Sequence, residues 1–229
     1  MTISKPFFIV ILILWATTSL FSQGQMCPGK LLAKNEISHF LNDSLKSAFD
    51  LEKPIYKIYE YSDKSGDYLT ILNEIKGPYT LQNNDTTNIK ATAINFKIEG
   101  SSITKMWNFE REALPDFIVG VQDINFLDDY IELKDIDNDT IVEQIIVYQT
   151  LTILGLFIIY KNQMISIENH FKGFDVKTFR VDKSFYELPP IIKSYIERKL
   201  YSMELSLNIA LPNGWLKKMK KQKTLIRVK

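Results

Sequence analysis

IVEQIIVYQTLTILGLFIIY, residues Ile141 to Tyr160, is the stretch whose reading decides the fold. Its two runs, Ile141 to Thr150 and Leu156 to Tyr160, are mostly apolar. A membrane helix would need about 20 unbroken apolar residues, and Gln149, Thr150, Thr152 and Gly155 interrupt this one. β-Branched side chains dominate, and these favour strands over helices. The stretch therefore reads as a pair of central strands covered on both faces, because a strand with one wet face would alternate polar and apolar residues.

Working outward, the upstream residues do alternate. IYKIYEYSDKSGDYLTIL (Ile55 to Leu72) is two β-rich runs around Asp63, Lys64, Ser65 and Gly66, which predicts a hairpin. KATAINFKIEGSSITKMWNF (Lys90 to Phe109) repeats the plan, with Ile94, Phe96 and Ile98 alternating against Asn95, Lys97 and Glu99 and a turn at Glu99 to Ser102. Downstream, Lys161 to Gln163 turns the chain into Met164 to His170. Helical spacing occurs twice. Ile37, Phe40, Leu41, Leu45 and Ala48 mark an amphipathic helix over 35–49, and Ile192, Ile196, Leu200, Met203 and Leu207 mark another that begins at Pro189 and Pro190. Pro212, Asn213 and Gly214 stop the second before Trp215. The expected fold class is α+β: one domain over 24–216, a mostly antiparallel meander sheet of about seven to nine strands, with an N-terminal and a C-terminal helix packed on it.

The two ends differ in character. Lys5, the apolar run from Phe7 to Leu14 extended to Phe21, and the small or polar residues after it read as a secretory signal peptide over 1–23. The expected location is the periplasm or cell surface, with no transmembrane span after cleavage. The last stretch, 217–229, holds seven basic residues and no acid, and reads as a basic C-terminal tail.

Composition narrows the function. The 229 residues carry 28 basic and 27 acidic groups, so the whole chain offers no bulk positive charge for a nucleic-acid partner. One cysteine excludes an internal disulfide framework and any multi-cysteine zinc site. Only two histidines occur, His39 beside the first apolar stripe and His170 at a strand end, and each reads as a structural residue. There is no G-x-S-x-G, H-E-x-x-H, Walker or dinucleotide motif, so no catalytic residue is assigned. Tyr56, Tyr59, Tyr61, Trp107, Tyr148 and Trp215 fall mostly at strand spacing and read as core or cross-strand partners rather than sugar-stacking rings.

One segment stands out chemically. From Asp123 to Glu143 there are eight acids against Lys134 alone. Within it Asp135, Asp137 and Asp139 alternate, and Glu143 follows. Calcium takes six to eight hard oxygens, and alternating carboxylates in a tight loop with a later glutamate can supply them. Clustered carboxylates also repel one another in the absence of a cation. Loops of this kind use glycine where the backbone turns left-handed; Asn138 and Thr140 hold those places here. Two readings stand at this point, a calcium loop formed by Asp135, Asp137, Asp139 and Glu143, and a solvated turn rich in Asp and Asn with no cofactor.

Taken in order, Ile55 to Leu72, ELKDIDNDTIVEQIIVY (Glu132 to Tyr148), LFIIYKNQMISIENH (Leu156 to His170), VDKSFYELPPIIKSYIERKL (Val181 to Leu200) and LPNGWLKKM (Leu211 to Met219) resemble a family. It is a family of secreted or envelope proteins of Bacteroidota that carries the label of surface polysaccharide (lipopolysaccharide) biosynthesis protein. In that family the aspartate loop reads closer to D-x-D-G-D-G, which matches Asp135, Asp137 and Asp139 and departs at Asn138 and Thr140. The resemblance implies a role in making or exporting surface glycan, and the leading expectation is a non-enzymatic protein that binds a glycan or an envelope assembly protein, an enzyme being disfavoured by the missing motifs. Two other classes stay open: an interaction or immunity-type protein that docks a basic partner on its acidic segment, and an envelope glycan hydrolase drawing its acids from that segment.

Overall fold

The computed structural model describes residues 27–33, 55–80, 86–100, 102–113, 123–172, 175–209 and 211–227. The signal-peptide segment, the helix expected over 35–49 and His39 lie outside them. Among the described residues the fold is mostly antiparallel sheet with two helices, and no helix is long and apolar enough to cross a membrane.

Five strands form the first sheet in sequence order: β1 (Cys27–Leu31), β2 (Ile55–Asp63), β3 (Gly66–Thr80), β4 (Thr86–Glu99) and β5 (Ser102–Glu112). Both expected hairpins are present. Asp63 pairs with Gly66 across Lys64 and Ser65, and Glu99 pairs with Ser102 next to Gly100, whose φ is 61°.

The second sheet has seven strands, ordered β12-β11-β10-β9-β8-β6, with β7 also on β8. They are β6 (Ile124–Phe126), β7 (Glu132–Lys134), β8 (Glu143–Thr150), β9 (Ile153–Tyr160), β10 (Gln163–Lys172), β11 (Asp175–Val181) and β12 (Leu225–Arg227). The β9–β10 turn is Lys161-Asn162 with φ of 49° and 62°. Positive φ at both central residues matches the right-handed twist of the flanking strands.

Among the described residues there are two sheets and twelve strands, where the sequence led to the expectation of one sheet of about seven to nine strands. The reason is visible in β8 and β9. Ile146, Tyr148, Phe157 and Ile159 point to one side and pack with Tyr59, Tyr61, Tyr68, Leu72, Ala91 and Trp107 of the first sheet. Ile145, Val147, Leu156 and Ile158 point to the other and pack with helix α1 (Pro190–Ser206) through Ile192, Ile196, Leu200 and Met203. Two apolar faces need two covers, and the second cover is another sheet. Ala91 and Ala93 are small enough to let the sheets approach. A third apolar set, Ile58, Leu69, Ile71 and Phe96 with Leu32, lies on the far side of the first sheet.

Most of the aromatic residues expected in the core are there. Tyr59, Tyr61, Trp107, Tyr148 and Trp215 are buried, and Tyr56 is exposed. Phe109 stacks on Phe157 with centroids 4.4 Å apart, joining the sheets. The basic C-terminal segment is folded onto the body rather than hanging from it. Trp215 and Met219 of helix α2 (Trp215–Lys220) are buried, and Ile226 of β12 pairs with Phe179 of β11.

Candidate metal centre

The loop between β7 and β8 is built by backbone strain and carboxylate acceptors. Asn138 and Thr140 both sit at positive φ, 60° and 67°. These are the two positions where glycine is expected in a loop of this pattern, so the left-handed geometry is present without the residue that adopts it easily. Asp135 stabilises the turn by accepting from the backbone N–H of Asp139 (3.1 Å) and of Thr140 (3.0 Å). Asp137 also accepts from Asp139 N–H, at 3.2 Å.

Carboxylate oxygens of Asp135, Asp137 and Glu143 lie within 4.8 Å of one another. Oxygens on opposite sides of one calcium ion are separated by roughly twice the 2.3–2.6 Å bond length, so this spread fits a shared ion. Glu143 sits at the first position of β8 and is 1% exposed. One of its oxygens accepts from Ile136 N–H at 2.7 Å. The other, Oε1, is buried without a hydrogen-bond partner among the described residues. Burial first, and then the charges of Asp137, Asp135 and Asp139, push the Glu143 carboxyl up to about 7, against the opposing donation from Ile136. A buried carboxylate that has an orphan oxygen and two more carboxylates close by is costly unless a cation completes it. Asp137 is raised for the same reasons, burial and then Asp139.

Asp139, the fourth expected ligand, is not in this group. Its carboxylate accepts from Ile141 N–H at 2.9 Å and pairs with Lys161 at 3.0 Å. Burial would raise it, but the hydrogen bond from Lys161 prevails and holds it below the usual aspartate range. Lys161 comes from the β9–β10 turn and carries no signal of this role in the sequence. Nor does the β2–β3 turn, which reaches the loop from the first sheet. Lys64 N–H donates to Thr140 O (3.1 Å), the Lys64 ammonium donates to Asp139 O, and Val142 N–H donates to Asp63 Oδ2 (3.2 Å).

Three of the other acids of 123–143 make separate contacts, and Asp129 is exposed. Asp123 accepts from Asn88 N–H (2.6 Å) and from the Asn125 amide (2.7 Å). Asp128 pairs with Lys57 and accepts from the Tyr56 hydroxyl at 2.6 Å. Glu132 accepts from Tyr195 and Lys199, tying β7 to α1. His170 Nε2 lies 2.8 Å from a carboxylate oxygen of Glu168.

No family model, curated protein or solved structure matches the chain.

Proposed function

We propose that this chain is a secreted, non-enzymatic protein of the cell envelope, that it supports the biosynthesis or display of surface polysaccharide, and that calcium in the 135–143 loop holds it in its working shape. The observations that carry the calcium part are the buried, unpartnered Oε1 of Glu143 and the approach of its carboxylate to within 4.8 Å of those of Asp135 and Asp137. Three carboxylates offer up to six hard oxygens, the donor type that calcium takes, as do magnesium and manganese. Asp135, Asp137 and Glu143 would hold the ion, and its chemistry would be charge neutralisation at the join of the two sheets. The envelope part rests on the ordered resemblance of 55–219 and on the signal-peptide pattern of 1–23. The reading in which the acidic segment docks a basic partner draws less support, because most of its carboxylates already face internal donors. A glycan hydrolase has no acid and base pair assigned to it.

Thermal melting with calcium and with chelator tests the metal. A ligand at about a hundred times its dissociation constant stabilises by roughly 2.7 kcal/mol, which shifts the midpoint by several degrees. Glu143→Gln should abolish that shift and, in chelator, stabilise the protein by about 1–3 kcal/mol, because the uncompensated buried charge is gone. Equal midpoints with and without calcium would sink the metal reading. A deletion strain with an unchanged surface glycan profile would sink the polysaccharide role, leaving the metal result untouched.

A further inference from the structure

The C-terminal segment supplies a surface unlike the rest of the molecule. Outside 1–23 and 217–229, acids outnumber bases by twenty-seven to twenty, while 217–229 has seven bases and no acid. Folding puts six of these cations, those from Lys217 to Arg227, on a packed platform. Trp215, Met219 and Ile226 face inward, with Trp215 against Phe179 at 6.0 Å between centroids, and the Tyr186 hydroxyl donates to Lys223 O at 2.6 Å. With those residues turned in, Lys217, Lys220, Lys221, Lys223 and Arg227 are exposed and Lys218 half-exposed. Among the described residues none of the six pairs with a carboxylate. Lys218, Lys223, Leu225 and Arg227, with Pro212 and Asn213, line one hollow of about 580 Å³. Two leucines stand among the cations, Leu216 at 36% and Leu225 at 43% exposed.

We propose that this face, α2 with the turn after it and β12, docks on a bilayer of anionic lipids, with the headgroup phosphates at Lys218, Lys223 and Arg227 and Leu216 and Leu225 entering the interface. Unpaired cations with no acid among them complement an anionic surface, and apolar side chains set between lysines suit the boundary between headgroups and acyl chains. The stacking ring that single-stranded nucleic acid uses is not offered, because Trp215, the one aromatic residue of the segment, is buried. The inference stands apart from the calcium loop, which lies between β7 and β8.

Vesicle co-sedimentation tests it. The protein, expressed with its own N-terminal segment and purified in the form the cell retains, is mixed with vesicles of phosphatidylcholine alone or with phosphatidylglycerol added. Binding should require the anionic lipid and weaken steeply as salt rises towards about 1 M, where charges are screened beyond roughly 3 Å. Each exposed cation contributes roughly fivefold, so the triple variant Lys218→Glu, Lys223→Glu, Arg227→Glu should bind at least about a hundredfold more weakly. The pair Leu216→Ser and Leu225→Ser should weaken binding with no change in charge. Equal binding to both vesicle types, indifference to salt, unaltered binding by the charge variant, or retention on dextran sulfate with none on vesicles would each overturn the proposal. The salt series on the unaltered protein decides the matter if the variants fold poorly.

Discussion

Thr140 is a β-branched residue held at a φ of 67°, where the side chain crowds its own backbone. It persists because its N–H is fixed by Asp135 and its carbonyl by Lys64 N–H. Thr140→Gly should therefore stabilise the protein by about 1 kcal/mol, since relief of strain outweighs the extra freedom glycine gives the unfolded chain; differential scanning calorimetry in chelator would read it, and an unchanged or lower midpoint would contradict it. This conformation was legible in the sequence, because the alternation of Asp135, Asp137 and Asp139 marks 138 and 140 as turn positions whatever residue occupies them. The fate of Asp139 was not legible. Alternation makes the three aspartates equivalent, and only the approach of Lys161 from another turn singles one of them out.

At the scale of the elements, β8 and β9 are fitted by one close approach. Gly155 pairs with Tyr148, and the Tyr148 ring lies across it, so a Cβ added at 155 would meet Tyr148 Cζ at 2.1 Å and its hydroxyl at 2.4 Å. Gly155→Ala must displace that ring and break the hydroxyl's 2.9 Å bond to Glu168. The expected cost is about 1–3 kcal/mol, measured as a drop in the urea midpoint, and adding Tyr148→Ala should return part of it. An additive double variant would mean that the ring does not set the spacing. The sequence reading took Gly155 only as an interruption of an apolar run. The hairpins, the paired central strands and α1 follow from patterns within each segment and were legible. The partition into two sheets was not, because periodicity says that a face is buried without saying what buries it.

The molecule as a whole is held by polar ties as well as by its shared core. Arg111 of β5 reaches Glu168 of β10 at 3.4 Å, the Thr70 hydroxyl donates to Gln144 Oε1 at 2.7 Å, and Phe126 N–H donates to Glu74 at 2.8 Å. Burial alone would raise the Glu168 carboxyl, but Arg111 and the hydrogen bonds from Tyr148 and His170 hold it below its ordinary value. A carboxyl so depressed releases its proton more readily in the folded chain than in the unfolded one. Its contribution is thus full at neutral pH and is lost as pH falls through the glutamate range. Urea unfolding of the native protein should show this acid-side loss, and Glu168→Gln should flatten it; an identical acid limb in the variant would place the sensitivity elsewhere. Such ties are invisible in sequence, since Arg111 and Glu168 lie in strands of different sheets.

The short turns at 64–65 and 161–162 bear on the order in which the chain assembles. Each joins neighbouring strands, so each sheet nucleates from contacts close along the chain, the kind that form fastest. Mating the sheets needs distant partners, Lys64 with Thr140 and Asp63 with Val142, and so belongs to a later step. The strained loop with its buried glutamate lies on that seam, and an ion captured there would act as a clasp on the closing event, leaving the growth of either sheet unaffected.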